Sequence, residues 1–416
     1  MTDPTGGRRY RKSMELFSRA CQVIPGGIYG HTTPALVAPT ASPYYASHAR
    51  GCRYWDVDGN DYIDFMCAYG PVVLGYLHPE VEEAAARQRR SGNCFNHPSA
   101  LMVELAERLI ELIDFADWAV FAKNGSDVMT WSVRVAREHT GRPKVFMVDG
   151  AYHGIGSWCT PEDAGLTVED RAHTHKFRWN DREGLKELFS RHGESCAALV
   201  LTPFHHPLFG DSQMLDPAFV DAVHAQCEHY GAMLILDDIR AGFRLDVHGS
   251  HRPFGLRPDI ACYCKALGNG YEISAAVGRH ELKLAASEVY FTGSFFGSSV
   301  AMAAAMATLN IIERDEVPAR LAATGEAFCR GLVTLAEQYG LEVKLSGPPA
   351  MPFMTFANES NFHRSQQFVE TALAAGVFLH PHHNWFISNA HEDADVAQAL
   401  QRVRPAFASV KELFDC

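Results

Sequence analysis

The chain has 416 residues, of which 47% are hydrophobic, and its 37 basic and 49 acidic residues give a formal net charge of −12 at pH 7. This length exceeds what one hydrophobic core usually organises, so we expect a globular α/β protein of two unequal domains. The acidic balance and the scattered basic residues argue against nucleic acid or an anionic membrane as a partner.

The N-terminus lacks the apolar core of a signal peptide, and no apolar run in the sequence reaches the length of a transmembrane helix. We therefore expect a cytoplasmic protein that does not bind a membrane. Eleven cysteines stand at irregular positions. This arrangement indicates reduced thiols, some of them in the core, and not a disulfide framework.

Residues 1–70 are predicted to form an N-terminal segment that packs with a smaller C-terminal domain. Within this segment, residues 13–24 have helical periodicity, which Pro25 and two glycines end. Residues 51–60 are predicted to form two short strands around an Asp-Gly turn.

Residues 71–310 are predicted to form the large domain, because short apolar runs alternate there with amphipathic segments, as in a mainly parallel sheet covered by helices. Its predicted strands are 118–122, 144–148, 197–201, 232–236, 260–264 and 274–277. Residues 311–416 are predicted to form the smaller α+β domain. Its predicted elements are a helix at 317–338, strands at 341–345 and 352–356, and helices at 362–375 and 392–410.

Asp237 and Lys265 each stand at the end of a predicted buried strand. In an open parallel sheet the carboxyl ends of the strands form the ligand crevice, so we expect both side chains in one pocket. A lysine in apolar surroundings becomes nucleophilic near neutral pH and can form a Schiff base with an aldehyde. A carboxylate nearby can keep a pyridine nitrogen protonated, so the pair indicates pyridoxal 5'-phosphate (PLP) as the cofactor. Taken singly, Asp237 is equally typical of a helix cap and Lys265 of a solvated loop.

Two further segments fit the same cofactor. A glycine turn at residues 123–127 opens an amphipathic helix, and such a turn can bind a phosphate through its amides and the helix dipole, although turns of this kind are common. Tyr152 follows the strand 144–148 and can stack on a pyridine ring, with a packed surface aromatic as the alternative. Ile239 faces the pocket of Asp237 by strand alternation and would press on the opposite face of the ring.

Several short motifs around these residues carry a family resemblance. They are Asp237-Asp238, where the family has Asp-Glu, then Ile239, Gly242-Phe243-Arg244, and Pro258-Asp259 ahead of Lys265. On these motifs the chain is identified as a member of the class III PLP-dependent aminotransferases, over nearly its whole length. The resemblance implies a fold-type I PLP transferase with a mainly parallel, seven-stranded-type sheet in the large domain. It also implies an amine donor and a keto-acid acceptor as substrates, and a homodimer.

The resemblance also suggests roles for individual residues. Asn124, Gly125 and Ser126 would bind the cofactor phosphate in place of a Ser-Gly-Thr-like triplet. Ser294 keeps the hydroxyl of a family threonine that reaches the phosphate of the other subunit. Tyr69 lies in a segment that lines the active site in the family, although a core-wall loop is an equally good interpretation.

The substrate is expected to be apolar. Thr33 stands where the related glutamate-1-semialdehyde aminomutases have a carboxylate-binding arginine. Aromatic residues occur on segments expected to border the pocket, namely Tyr29, Tyr69, Phe95, Phe295, Phe296 and Trp385. The chain resembles in particular the bacterial aminotransferases of hydrolysed fumonisin, which points to a long-chain amine or amino alcohol as donor and pyruvate as acceptor. Arg240, beside the predicted ring-binding strand, is a candidate for binding the acceptor carboxylate.

Three alternatives stay open at this point. They are an aminomutase of the glutamate-1-semialdehyde type, a transaminase of β- or ω-amino acids, and a non-catalytic dimeric binding protein. The presence of Asp237, Lys265 and Tyr152 disfavours the last.

We expect no metal site. The run HPHHNW at residues 380–385 invites such an interpretation, but Pro381 and the lack of a carboxylate pattern make it poor. His173, His175 and the pair His205-His206 are expected to be ordinary loop residues.

Overall fold

The computed structural model describes residues 10–28, 38, 42–207, 210–357 and 359–414. The chain divides into two compact units. The first comprises Met1–His78, Leu208–Ser212 and Ala319–Cys416, and the second comprises Pro79–Pro207 and Gln213–Pro318. The domain boundaries near residues 70 and 310 stay a prediction.

The secondary structure alternates between helices and short strands over most of the chain. The helices are α1 (Arg11–Val23), α2 (Pro79–Ser91), α3 (Ala100–Leu112), α4 (Gly125–Thr140), α5 (Val168–Arg171), α6 (Arg182–His192), α7 (Pro217–Tyr230), α8 (Lys283–Glu288), α9 (Ser299–Arg314), α10 (Val317–Gln338), α11 (His363–Ala374), α12 (Asp393–Arg402) and α13 (Arg404–Phe414). The strands are β1 (Ala46–Arg50), β2 (Arg53–Asp56), β3 (Asp61–Asp64), β4 (Trp118–Ala122), β5 (Lys144–Val148), β6 (Thr174–Phe177), β7 (Cys196–Leu201), β8 (Phe204–His205), β9 (Gln213–Met214), β10 (Met233–Asp237), β11 (Ile260–Tyr263), β12 (Ser274–Gly278), β13 (Val343–Ser346), β14 (Phe353–Phe356) and β15 (Val377–Phe378). Short 3-10 helices cover Cys67–Tyr69, Gly193–Ser195, Lys265–Gly268 and His280–Leu282.

The second unit is built on a seven-stranded sheet with the order β4-β12-β11-β10-β7-β5-β6. Neighbouring strands are parallel except at β12, which runs antiparallel to both β11 and β4. Every residue of β7, β11 and β12 is buried, as expected for strands covered by helices on both faces. This sheet confirms the prediction of a mainly parallel α/β fold.

Strand direction decides where the polar residues of this unit collect. Because β12 is antiparallel to both of its neighbours, β4 runs in the same direction as β5, β7, β10 and β11. The carboxyl ends of these five strands therefore lie along one edge of the sheet. Helix α4 begins directly after β4, and its buried face, which includes Val128 and Trp131, packs in the core of the unit.

Two sequence predictions need correction. The segment around His175 is not a loop, because Thr174–Phe177 forms the edge strand β6 beside β5; its sequence THKF has no apolar alternation that would reveal a strand. The helix predicted at 392–410 is two helices, α12 and α13, which meet at Val403. Pro405 lacks a backbone N–H and cannot continue the preceding helix, which explains the break.

The first unit has its own sheets and core. Strands β1, β2, β3 and β15 form a four-stranded sheet, and β13 pairs with β14. In its core, the rings of Phe65 and Phe328 stack at 4.2 Å between centroids. Among the described residues of the chain, no helix combines the length and the apolar character needed to cross a membrane.

Candidate active site

Asp237 is the last residue of β10 and is buried at the carboxyl edge of the sheet. Its Oδ2 lies 2.7 Å from Nδ1 of His153, and its Oδ1 accepts a hydrogen bond from the backbone N–H of Ile239 at 3.2 Å. The side chain of His153 is also buried. These two contacts fix the orientation of the carboxylate.

Lys265 follows β11 and begins a 3-10 helix with φ +33°. A side chain other than glycine at such an angle costs about 1 to 3 kcal/mol and is retained mainly at functional sites. Burial and, to a lesser extent, the positive charge of Arg240 together lower the pKa of the Lys265 amine to about 8. At pH 7 about a tenth of such an amine is neutral, compared with about one part in 3,000 for an ordinary lysine. Lys265 is therefore a competent nucleophile near neutral pH.

Arg240 lies close to both the carboxylate of Asp237 and the amine of Lys265. Its guanidinium lies over the ring of Phe204, 4.8 Å from the centroid. Burial lowers the pKa of Arg240 to about 10, while the charge of Asp237 acts in the opposite direction. The group stays cationic at neutral pH, so it can attract a carboxylate and also keep the nearby amine of Lys265 from protonating.

The start of helix α4 approaches Ile239 very closely. Asn124 is the N-cap residue, and its backbone N–H donates to Asp127 Oδ2 at 2.8 Å. A Cβ atom on Gly125 would lie only 2.6 Å from Cδ1 of Ile239. The helix start thus presents its first-turn amides beside the strand end that carries Asp237, as an anion site requires.

A second loop meets the same helix start. Ser126 Oγ accepts a hydrogen bond from the backbone N–H of Ile155 at 3.2 Å, and a Cβ atom on Gly154 would lie 2.3 Å from this oxygen. The loop carries Tyr152, whose side chain is 58% exposed although it adjoins the buried His153. Its ring therefore offers a free aromatic surface near Asp237.

The loop that contains Ser294 lies on the surface of the second unit. Ser294 is exposed, and Phe295 is 59% exposed with the amine of Lys123 5.2 Å from its ring centroid. Phe296 turns inward and packs on Phe291, with 4.9 Å between ring centroids. Lys123 is thus placed against an aromatic ring of this loop.

The remaining predicted site residues belong to the first unit or lie outside the described residues. Tyr69 is the third of four consecutive residues with positive φ, and its ring lies edge-on to His380 and His383, at 6.2 and 5.4 Å between centroids. Trp385 is 1% exposed, and its Nε1 donates to the carbonyl of His380 at 2.9 Å. The structure gives Trp385 a core position and does not support a substrate contact for it. Tyr29 lies outside the described residues, as does Thr33.

Two histidines have surroundings that the sequence analysis did not predict. His153 has a close contact with Asp237 that sequence reasoning missed, although its place directly after Tyr152 on a strand-end loop was the available signal. His205 was predicted to lie in a loop, and this is wrong, because it lies in β8 and stacks on Trp179 at 5.4 Å between ring centroids.

Among the described residues, no group of three or more His, Cys, Asp or Glu side chains is arranged to hold a metal ion.

The assembled groups fit a phosphorylated pyridine aldehyde. Lys265 supplies an amine with a depressed pKa, and Asp237 supplies a buried, oriented carboxylate. The close approaches at Gly125 and Gly154 form a narrow cradle, which a Cβ atom at either position would fill. PLP is a compound of this kind, and the residues present suit each of its three reactive or charged parts.

Comparisons with known proteins agree with this chemistry. Residues 36–404 match the family model described as aminotransferase class-III. The chain is 41% identical over 399 residues to the aminopentol aminotransferase of Sphingopyxis macrogoltabida, with coverage of 96% of this chain and 94% of the relative. It is 34% identical to the 3-aminobutyryl-CoA aminotransferase of Cloacimonas acidaminovorans, with coverage of 97% and 98%. The solved structure of the FumI protein of a Sphingopyxis species, in its PLP internal aldimine form, matches with a TM-score of 0.95 at 41% identity and 97% coverage of both chains.

Proposed function

This chain belongs to the class III aminotransferases, and we propose that it transfers an amino group from a long-chain amine or amino alcohol to pyruvate. PLP-dependent aminotransferase activity follows from the family. The choice of donor is supported by the 41% identity to an aminopentol aminotransferase over nearly the full length of both chains. The observation that carries the chemistry is the amine of Lys265, with its pKa near 8, at the strand edge that also holds Asp237.

When bound, PLP acts as the electron sink for the bond that is broken at the amine-bearing carbon of the donor. Asp237 would hold a proton at the pyridine nitrogen, with its carboxylate kept in place by His153. Lys265 would hold the cofactor covalently, and its amine would carry the proton that is removed from the amine-bearing carbon of the donor.

Other residues bind and orient the cofactor in this proposal. Asn124, Gly125 and Ser126 bind the phosphate at the start of α4, while Tyr152 and Ile239 hold the two faces of the ring. These assignments are supported by the close packing of Gly125 on Ile239 and by the exposed ring of Tyr152.

We further propose a cytoplasmic homodimer in which Ser294 reaches the phosphate of the partner chain, and Arg240 as the group that binds the acceptor carboxylate. The exposed position of the Ser294 loop and the cationic state of Arg240 support these assignments. We propose detoxification of hydrolysed fumonisin as the biological role. The similarity to the aminopentol aminotransferase supports it.

One alternative donor class has specific support. The 34% identity to a 3-aminobutyryl-CoA aminotransferase favours a β-amino compound. The aminomutase reaction has weaker support, because Thr33 stands at the position of the substrate-binding arginine of those enzymes.

A donor panel separates these possibilities. A homologous series of 2-aminoalkanes would be compared with 3-aminobutyrate and glutamate-1-semialdehyde, with pyruvate or 2-oxoglutarate as acceptor. Each buried methylene contributes about 0.8 kcal/mol, so we expect kcat/KM to rise roughly fourfold per methylene until the pocket ends. A flat series, or a strong preference for short amino acids, would contradict the long-chain donor while leaving the aminotransferase family unchanged.

A further inference from the structure

The second unit has a surface cavity of about 250 Å³ that contains none of the candidate active-site residues. Its walls come from the loops that precede β4 and β11 and from the residue that follows β12. Three arginines line it, namely Arg252, Arg257 and Arg279. We call it the arginine cavity.

Strand register places the arginine cavity at the edge of the sheet opposite to Asp237 and Lys265. Ile260, the first residue of β11, pairs with Gly278, the last residue of β12. Gly278 pairs in turn with Trp118, the first residue of β4. The segments just outside these three strand ends therefore meet at one edge, whereas Lys265 follows the other end of β11. The cavity has no part in the aminotransferase chemistry proposed above.

Contacts between the loops hold the walls of the cavity in place. His251 Nε2 lies 2.8 Å from Asp114 Oδ1, and the imidazole meets the ring of Phe115 edge-on at 5.1 Å between centroids. The guanidinium of Arg279 lies 5.8 Å from the centroid of the Phe115 ring, and its Nε donates to the carbonyl of Pro258 at 3.0 Å. A wall that is ordered before a ligand arrives loses less entropy on binding.

The charges that line the arginine cavity are not balanced. Arg252 and Arg257 are exposed, and within the part of the chain that the structure describes their guanidinium groups have neither a hydrogen bond nor an ion pair. Arg279 has a carboxylate nearby, because its Nε lies 3.6 Å from Asp259 Oδ1. The carboxylate of Asp114 is bound by the imidazole. Two positive charges thus line one cavity without a counter-charge, in a protein whose net charge is −12.

The space between these side chains suits a small ligand. Gly255 also lines the cavity, and a Cβ atom on it would have no other atom within 4 Å. The volume of about 250 Å³ is below the range of about 300 to 1,000 Å³ that drug-sized ligands occupy. A guanidinium presents its N–H donors in a planar fork that matches the oxygens of a carboxylate or a phosphate.

We propose that the arginine cavity binds a small polyanion, a compound with two or more carboxylate or phosphate groups. Arg252 and Arg257 supply the positive charge that the polyanion neutralises, and Arg279 lies on the fixed part of the wall. A monoanion neutralises only one of the two charges and binds more weakly. Because the cavity lies at the opposite edge of the sheet from Lys265, the polyanion and PLP bind to the same chain at the same time.

Isothermal titration calorimetry of the PLP-loaded enzyme at constant ionic strength tests this proposal. Citrate and pyrophosphate are the probes, and acetate is the monoanion. Loading with PLP fills the proposed phosphate site at the start of α4, so pyrophosphate cannot bind there. We expect at least one polyanion to bind about tenfold or more tightly than acetate. Tighter binding of citrate assigns carboxylates to the ligand, and tighter binding of pyrophosphate assigns phosphates. Binding of neither at millimolar concentration, or acetate binding as tightly, would overturn the proposal.

Arg252→Gln and Arg257→Gln should each weaken binding of the polyanion by about tenfold, because each removes a charge-assisted hydrogen bond. Both side chains are exposed, so the variants should fold normally. Arg178→Gln is the matched control, since Arg178 is also exposed and its side chain has no partner among the described residues. Arg240→Gln is a second control, because it removes the group that would bind a carboxylate at the opposite edge.

An affinity that falls equally in Arg178→Gln, or that falls only in Arg240→Gln, would show that the arginine cavity is not the binding site. The titration measures binding and not turnover. Its result is therefore independent of the amine donor proposed above.

Discussion

At the scale of single residues, the site depends on charge states that burial and neighbouring charges set. The pKa of Lys265 is lowered to about 8 by burial and by Arg240, whereas Asp237 is oriented by His153 and by the backbone of Ile239. A nucleophilic amine and a fixed carboxylate thus coexist at one edge of a sheet. Three predictions test this arrangement.

Lys265→Ala should keep its fold and lose covalent attachment of PLP. Borohydride reduction of the wild type, followed by peptide mapping, should find the pyridoxyl group on Lys265. Lys123→Ala is the matched control, because Lys123 lies against Phe295 and should not be needed for attachment. A pyridoxyl group on Lys123, or on any lysine other than Lys265, would contradict the assignment.

Asp237→Asn should retain PLP but lose turnover by about a hundredfold or more. A carboxylate and a pyridinium about 3 Å apart attract by roughly 5 kcal/mol at an effective dielectric of about 20, and half of that energy shifts the ring pKa by about two units. Turnover per bound cofactor is the measurement. Asp259→Asn serves as control, since Asp259 binds the Leu234 amide at the far end of β11 and should lose stability only. Similar turnover in both variants would remove the proposed role of Asp237.

The rate at which the apoenzyme captures PLP should follow the titration of Lys265. Only the neutral amine attacks, so the rate should rise about tenfold per pH unit below pH 8 and level off above it. Stopped-flow absorbance, corrected by a model lysine compound at each pH, measures this. Arg240→Gln removes a charge that lowers the pKa of Lys265, so its midpoint should move to higher pH. A rate that keeps rising to pH 10 in the wild type would exclude a lysine with a depressed pKa.

At the scale of secondary-structure elements, the site is a meeting of strand ends with one helix start. Strands β4, β5, β10 and β11 point the same way, and each is followed by a loop or helix that contributes a site residue. Helix α4 is capped by Asn124 and Asp127, so its first turn is held in one orientation. The narrow gap between this turn and β10 leaves no room for a side chain at Gly125.

Gly125→Ala should weaken PLP binding by about tenfold or more, because the new Cβ would lie 2.6 Å from Cδ1 of Ile239 and force the helix start away. Ile239→Val removes that Cδ1 atom, so the double variant should recover part of the affinity. Gly297→Ala is the control, because its nearest neighbouring atom would be 3.6 Å away. Equal PLP affinities in all of these variants would show that the close approach does not shape the phosphate site.

At the scale of the whole molecule, the proposed homodimer requires a contact with a second chain. Ser294 and Phe295 lie exposed on a loop of the second unit, which is where a cross-subunit contact would form in the proposed dimer. Light scattering of the PLP-loaded enzyme should give twice the 46.0 kDa chain mass. Ser294→Ala should bind PLP more weakly without changing that mass. A single-chain mass with full activity would exclude the homodimer.

The sequence alone determined the family and six of the seven strands of the large sheet, and it predicted the pair Asp237 and Lys265. Parallel strands buried on both faces are continuous apolar runs, so β7, β10 and β11 can be found without knowledge of their neighbours. A polar residue that ends such a run then marks the ligand edge.

Only the tertiary structure decided the contacts between residues far apart in the chain. His153 and Asp237 are 84 residues apart, and no local pattern encodes their hydrogen bond. The same holds for the position of Arg240 over Phe204 and the core position of Trp385. Strand β6 was missed because an edge strand depends on pairing with β5 and not on its own alternation. Local sequence fixes periodicity and turns, whereas the surroundings of a side chain, and therefore its charge state, are set by elements that meet only after folding.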